Sequence, residues 1–131
     1  MRICSKLSGG HKSLFAHGVI AVPSTSFAES LGSGRWIAQA PVCIVIFSGE
    51  GLTPHEDCAA AAENMLIASH ALGLGACWIA NPRASFVARA REFLGAPEPF
   101  NFFGMISLGY PDESPAKPKR ALADVLHWEE F

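Results

Sequence analysis

The most informative feature of this chain is a long apolar helix that stops at a glycine turn. Residues 55–82 read HEDCAAAAENMLIASHALGLGACWIANP. Thr53 can cap the helix, and Pro54 suits its first position. The helix should run to about Leu72, with Gly73 as the residue that ends it. A helix this apolar must be buried on nearly all sides, and the turn after it carries so little bulk that a flat ligand could contact bare backbone there.

Composition limits the class of protein. The chain has 131 residues, enough for one domain with its own core, and half of them are hydrophobic while only 17% are charged. This apolar excess predicts that a partner chain covers part of the surface. The net charge of −2 argues against a nucleic-acid partner. The longest apolar run, residues 40–47, is too short to span a bilayer, so we expect no membrane segment.

The four cysteines, Cys4, Cys43, Cys58 and Cys77, are scattered without a C-x-x-C pair. Cys43 and Cys77 fall in strands that we expect to be buried. Reduced, buried thiols in a cytoplasmic protein are therefore favoured over disulfides. His55 lies one helical turn from Cys58, but no second pair of ligands has the spacing that zinc requires, so we expect no metal site.

The chain divides into two parts by composition. Residues 1–26 contain several glycines and serines with no sustained period, which predicts an irregular lead-in, and residues 27–131 form the folded domain. In this domain apolar runs alternate with helical segments. Strands are predicted at 42–47, 76–79 and 102–108, and helices at 54–72 and 82–94. This alternation indicates an α/β or α+β layered domain.

From about Phe27 onward, a series of short motifs resembles the flavin-dependent nitroreductase family. The motifs are WIAQAPV at 36–42, AENML at 62–66, ALGLG at 71–75, CWI at 77–79, LGYP at 108–111 and KPKR at 117–120. Their order and spacing carry the resemblance over roughly the last hundred residues. It implies a nitroreductase-like α+β fold, with a central, mostly antiparallel sheet flanked by helices.

The same resemblance implies a function and a partner. Members of this family bind FMN and use NADH or NADPH as the hydride donor. They reduce nitroaromatics, quinones or similar small-molecule electron acceptors. They are homodimers with flavin sites at the subunit interface, where helices like the one predicted at 54–72 form the core and C-terminal tails wrap the partner. The resemblance therefore implies an FMN-dependent oxidoreductase that pairs with a second copy of itself.

The residues around the flavin ring follow from the resemblance as well. Trp78 and Ile79 would pack against the ring, and the backbone amides of Ala80 and Asn81 would face its N5 and O4 atoms. A fixed backbone donor at N5 orients the ring and tunes its electronics without a titratable group. The family needs no side chain as acid or base, and we accordingly assign no catalytic residue.

At the phosphate end, Lys119 and Arg120 match the basic pair that family members place on the FMN phosphate. The chain departs from the family at its start, where an Arg-Arg-Ser-x-Arg motif and a Pro-Ser-x-x-Asn-x-Gln-Pro-Trp-like stretch are absent. It resembles the C-terminal two thirds of a nitroreductase, truncated at the N-terminus. Each charge-assisted hydrogen bond lost with that motif would cost about 1.5–3 kcal/mol.

Two alternatives stay open. The first is a truncated, non-catalytic family member that folds or dimerises but binds flavin weakly or not at all. The second is a binding module that uses the same corner of the fold for another flat heterocycle. Each candidate residue also has a structural interpretation: Trp78 as a core tryptophan, and Lys119 and Arg120 as solvated residues of the tail.

Overall fold

The computed structural model describes residues 18–31, 35–80, 85–116 and 118–130. They form a four-stranded sheet with helices packed on both of its faces. The strands are β1 (Gly18–Pro23), β2 (Val42–Ser48), β3 (Gly75–Ile79) and β4 (Asn101–Gly109). The helices are α1 (Ser24–Leu31), α2 (Pro54–Ala71) and α3 (Val87–Leu94), with short 3-10 turns at Arg35–Gln39 and Leu122–Asp124.

Every pair of neighbouring strands runs antiparallel, in the order β1-β2-β4-β3. Strands β2 and β4 lie at the centre, as their continuous apolar sequences predict, and β1 and β3 are the outer strands of the described sheet. At mid-sheet Val45 pairs with Ile20 on one side and with Met105 on the other. This architecture and its structural neighbours, given below, confirm the predicted α+β fold with an antiparallel sheet.

A β-bulge interrupts the ladder between β2 and β4. Ile46 pairs with Gly104, while the next residue, Phe47, pairs with Phe102. Phe103 is therefore the extra residue of β4, without a partner on β2. Its side chain packs on the face of the sheet that α2 covers.

The two faces of the sheet carry separate hydrophobic clusters. The larger one joins Phe27 and Leu31 of α1 and Ala90 of α3 to the inner residues Val45 and Met105, all of which are buried. A smaller one lies under α2 and contains Ile46, Cys58, Ala62 and Ile106. Full burial of a large apolar side chain contributes about 1.5–3 kcal/mol. Because the larger cluster lies under α1 and α3, that face of the sheet holds most of the core.

Helix α2 ends as the sequence predicts. The amide of Leu74 donates to the Ser69 carbonyl at 2.9 Å, and the amide of Gly73 donates to the His70 carbonyl at 3.0 Å. This pair of bonds is a Schellman motif, and Gly73 adopts the left-handed φ of 74° that the motif requires. The N-terminal expectation was wrong in one respect, because the Thr53 side chain makes no cap hydrogen bond with the described residues.

A single chain does not bury α2 on nearly all sides. Of its 18 residues, all of them described, only Cys58, Ala62 and Ser69 are buried. Ile67 on its outer face is 60% exposed, and Leu72 just after it is 76% exposed. The apolar sequence of α2 is therefore only partly explained by the fold of one chain.

The structure differs from the sequence-based expectations at three further places. Residues 18–26 were expected to be irregular, but they form β1 and the first turn of α1. Gly18 and Pro23 lie at the two ends of β1, and both residues are typical of loops, although an outer strand tolerates them. Helix α3 begins at Val87 rather than Pro82, and residues 81–84 lie outside the described part of the chain, as do residues 1–17.

The third difference concerns the cysteines. Cys43 and Cys58 are buried, but Cys77, expected to be buried, is exposed because β3 lies at the edge of the sheet. Cys4 lies outside the described residues. Within the described segments, no helix has the length and apolar character needed to cross a bilayer.

Candidate functional site

The predicted ring-binding residues lie at the C-terminal end of β3. Ile79 forms the last pair of the ladder, with Met105 of β4, and Ala80 follows it as an exposed residue outside the sheet. The amide of Ala80 is thus not part of a ladder pair. The other predicted amide, that of Asn81, belongs to a residue outside the described part of the chain.

The peptide between Ile79 and Ala80 has a defined direction. A Cβ atom added to Gly104 of β4 would lie 3.0 Å from the carbonyl oxygen of Ile79, so this carbonyl faces β4. The peptide is trans, and in a planar trans unit the N–H points opposite to the C=O. The N–H of Ala80 therefore points away from β4, beyond the outer edge of the described sheet.

The side chain of Trp78 lies on the α2 face of the sheet. Its indole packs against the ring of Phe103, with centroids 5.7 Å apart and planes at 32°. Phe103 in turn stacks with His55 at the start of α2, at 6.1 Å and 30°. The indole Nε1 is buried and has no hydrogen-bond partner among the described residues. Trp78 is thus held in an aromatic row that runs from β3 to the N-terminus of α2.

The side chain of Ile79 points to the opposite face. It packs against the cluster that contains Phe27 and Met105, under α1 and α3. Successive side chains of a strand alternate between faces, so Trp78 and Ile79 do not share one surface. A flat ring at the end of β3 can contact both of them only from the edge of the strand.

The glycine turn after α2 is open at Gly73 and closely packed at Gly75. A Cβ atom on Gly75 would lie 3.1 Å from Pro111 Cβ, and one on Gly109 would lie 2.7 Å from Pro41 Cδ. Pro111 therefore covers the backbone at Gly75 and Pro41 covers that of Gly109, while a ligand contact at Gly73 stays a prediction. At the opposite end of β3, Ala80 is also exposed.

Lys119 and Arg120 lie in an exposed segment that follows β4 and has no regular structure at these positions. Neither side chain forms a hydrogen bond or an ion pair with the described residues. Both cations are therefore available to an anion. The structure brings Trp78, Ile79 and Ala80 together at one strand end, and it places the two cations on a different segment of the chain.

The described residues contain no metal-binding cluster, and two of their three cysteines are buried. No group of three or more His, Cys, Asp or Glu side chains in the described segments could hold a metal ion. Burial raises the pKa of Cys43 to about 12. Burial also raises the pKa of Cys58, and the charge of the neighbouring Asp57 adds to the effect. Neither buried thiol forms the thiolate that a nucleophile needs at neutral pH.

An apolar hollow of about 110 Å³ lies elsewhere, between β1 and the loop after α3. It is lined by Gly18, Ile20, Phe47, Gly95, Ala96, Pro97 and Phe100. A hollow this small, with no charged or hydroxyl side chain in its lining, suits neither a flavin nor a phosphate. No local sequence pattern signals this hollow, since its lining comes from three separate segments of the chain.

Comparison with known proteins places this fold in a family. The model of the "Nitroreductase family" matches residues 10–110. A proposed NADH dehydrogenase/NAD(P)H nitroreductase from Archaeoglobus fulgidus is 34% identical over 93 residues, which cover 66% of this chain and 53% of the relative. A protein of the same description from Methanothermobacter thermautotrophicus is 34% identical over 104 residues, 75% of this chain and 54% of the relative. The chain thus spans about half the length of these relatives.

Solved structures with the same fold include flavoproteins. An FMN-dependent nitroreductase from Clostridium difficile R20291 is 26% identical, with a TM-score of 0.76 over 88% of this chain and 76% of that chain. A nitroreductase solved in complex with FMN, from Desulfovibrio desulfuricans, is also 26% identical, with a TM-score of 0.67 over 88% of this chain and 73% of that one. Because the family model matches most of this chain, the chain belongs to the nitroreductase family.

Proposed function

We propose that this protein is an FMN-dependent oxidoreductase that uses NADH or NADPH to reduce a nitroaromatic, a quinone or a similar small electrophile. The observation that carries the proposal is the Ala80 amide, which belongs to an exposed residue and points outward from the edge of β3. Membership of a family that includes an FMN-dependent enzyme and an FMN complex supports FMN as the ligand at this position.

Candidate groups for both ends of an FMN molecule can be named on this chain. At the ring, the N–H of Ala80 would donate to N5, and the predicted amide of Asn81 would lie beside it. The strand end formed by Trp78 and Ile79 would support the ring from the side. Bound FMN would supply hydride transfer, and the amides would orient the ring and stabilise charge that develops on it.

At the other end, the phosphate would be held by Lys119 and Arg120. Both side chains are exposed and make no ion pair with described residues, so binding an anion would break no ion pair within that part of the chain. Charge-assisted hydrogen bonds of this kind contribute about 1.5–3 kcal/mol each. The tail that carries the two cations would have to approach the end of β3 for one FMN molecule to reach both.

A homodimer is the second part of the proposal. The outer face of α2 leaves Ile67 exposed, and the segment after β4 leaves Leu122 and Trp128 exposed at 69% and 79%. Apolar surface of this kind on a chain that is half hydrophobic is typical of a subunit interface. A second copy of the chain would cover the face of α2. The buried free thiol of Cys43 agrees with a reducing compartment, and we place the protein in the cytoplasm.

The purified protein should be a yellow dimer. Titration with FMN should quench the flavin fluorescence and raise the melting temperature, and the loaded protein should oxidise NADH or NADPH when a quinone is present. A colourless protein whose melting temperature and flavin fluorescence do not respond to FMN would contradict the proposal.

One alternative has a specific observation in its favour. The sequence lacks the Arg-Arg-Ser-x-Arg motif, so Lys119 and Arg120 are the cations that remain assigned to the phosphate. A family member that folds and dimerises but binds FMN weakly or not at all would fit this deficit. Such a protein would give a dimer in analytical ultracentrifugation and no change in melting temperature at micromolar FMN.

A further inference from the structure

We propose that Gly104 is a positioning residue for the site at the end of β3, because its missing side chain sets the position of the Ile79–Ala80 peptide. This inference rests on the proposed function, in which the Ala80 amide contacts FMN. Gly104 itself would touch neither cofactor nor substrate. It would act through the backbone of the neighbouring strand.

The contacts of Gly104 carry the inference. A Cβ atom at this position would lie 3.0 Å from the carbonyl oxygen of Ile79 and 3.0 Å from Nε1 of Trp78. Contacts this short are tighter than nine in ten real Cβ contacts, so a side chain would force a neighbour to move by a few tenths of an ångström. The absence of a side chain therefore lets β3 lie close to β4 at this position.

Both neighbours of Gly104 are held by other contacts. The indole of Trp78 packs against Phe103, which is fixed in turn by its stacking with His55. The carbonyl of Ile79 belongs to the last residue of the β3–β4 ladder. A side chain at position 104 would thus meet a packed ring on one side and backbone on the other, and neither is the free end of a flexible side chain.

Displacing the Ile79 carbonyl displaces the Ala80 amide as well. The two groups belong to one rigid peptide unit, so rotating or shifting the carbonyl moves the N–H by a similar amount. A donor aimed at a fixed atom of a ring loses strength when its distance or angle changes. Gly104 therefore sets the direction of the donor that the proposed function uses.

The position of Gly104 indicates that a glycine is needed there because other groups approach its backbone closely. The residue is buried in the interior of a central strand, where glycine is less stable than alanine. Glycine in such a place marks a site where another group approaches the backbone closely. Here the approaching groups are the Trp78 indole and the Ile79 carbonyl.

The first test needs no flavin. In a ¹H–¹⁵N correlation spectrum of the full chain without ligand, Gly104→Ala should shift the backbone amide signal of Ala80 and the indole signal of Trp78. Gly18→Ala is the matched control, since it is also a strand glycine and its Cβ would meet only ordinary contacts, the nearest being Phe47 Cβ at 3.7 Å. The control should leave both signals in place.

The second test uses FMN. Gly104→Ala should weaken FMN binding by about 3- to 10-fold, the size expected for a misaligned hydrogen bond, and should shift the absorption spectrum and reduction potential of the bound flavin. Gly18→Ala should change none of these. A role in stability alone would lower the melting temperature without moving the potential of the flavin.

A double-mutant cycle adds a readout of the mechanism. Trp78→Phe removes Nε1, so the shift of the Ala80 signal caused by Gly104→Ala should be smaller in the Trp78→Phe background. Should Gly104→Ala alone not fold, the double variant compared with Trp78→Phe provides the same measurement. Unshifted Ala80 signals in folded Gly104 variants would overturn the inference. If the wild-type chain binds no FMN, the proposed function fails, while the spectra without ligand still decide what Gly104 does.

Discussion

Gly109 of β4 lies directly against Pro41, and a Cβ atom on Gly109 would stand 2.7 Å from Pro41 Cδ. The proline ring is rigid, so it cannot move aside as a flexible side chain would. We expect Gly109→Ala to lower the free energy of unfolding by about 1–3 kcal/mol through this overlap. Urea unfolding followed by circular dichroism measures the change.

The control for this prediction is Gly18→Ala in β1, where the added Cβ has its nearest contact at 3.7 Å. Its effect should be within about 1 kcal/mol of zero, since a well-tolerated Gly→Ala change acts mainly on the unfolded chain. Equal effects of the two substitutions on the free energy of unfolding would show that the Pro41 contact does not restrict the size of the side chain at position 109.

The three described cysteines should differ in reactivity. Cys77 is exposed on β3, whereas Cys43 and Cys58 are buried and have raised pKa values. In a Cys4→Ser background, native protein should therefore react quickly with one equivalent of a thiol reagent, and mass spectrometry should locate it at Cys77. Complete labelling should require denaturant. Fast labelling of Cys43 in the native protein would contradict its burial.

The buried thiol of Cys43 makes stability depend on pH in the alkaline range. Burial raises its pKa from 9.0 to about 12 in the folded protein, so above pH 9 the unfolded chain loses a proton that the folded chain retains. The stabilisation is fully present below pH 9 and is lost as the pH rises toward 12, by up to about 1.4 kcal/mol per pH unit.

The measurement compares urea unfolding at pH 8 and pH 10.5 for the wild type and Cys43→Ala. Other groups titrate in both proteins, so only the difference between the two pH dependences reports Cys43. The wild type should lose more stability than the variant between the two pH values. Parallel losses would mean that the Cys43 thiol ionises equally well in the folded chain.

The outer face of α2 should hold the dimer together. Ile67 is 60% exposed in the single chain, so a charge there should not disturb the core but should be costly in an apolar interface. We expect Ile67→Glu to produce a folded monomer in analytical ultracentrifugation. Ala88→Glu, on an exposed position of α3, is the matched control and should remain dimeric. A dimeric Ile67→Glu protein would place the interface elsewhere.

The elements with strong local signals could be predicted from the sequence. Pro54 and Gly73 gave the ends of α2 to within about a residue, because each is chemically suited to one helix terminus. The apolar runs of β2 and β4 identified the central strands. Strand β1 was missed, because an outer strand buries only alternate side chains and its bounding residues Gly18 and Pro23 resemble loop signals.

The site was only partly predictable for a different reason. The resemblance to a family pointed to Ala80, but the direction of its amide depends on the pairing of β3 with β4. The approach of Gly104 to Trp78 depends on that register and on the bulge that places Phe103 beside the indole. Pairing between distant segments leaves no trace in local periodicity, so neither contact could be derived from one sequence.

The proposal that the Ala80 amide binds FMN is tested most directly by removing its hydrogen. Ala80→Pro deletes the N–H, and the fold should survive because the amide lies beyond the last ladder pair and outer strands tolerate proline. Ala76→Pro is the control: four residues earlier in β3, its amide faces the same outward side. With circular dichroism confirming both folds, FMN titration should show about a tenfold rise in Kd for Ala80→Pro and little change for Ala76→Pro. A folded Ala80→Pro protein that binds FMN as tightly as the wild type would contradict the account.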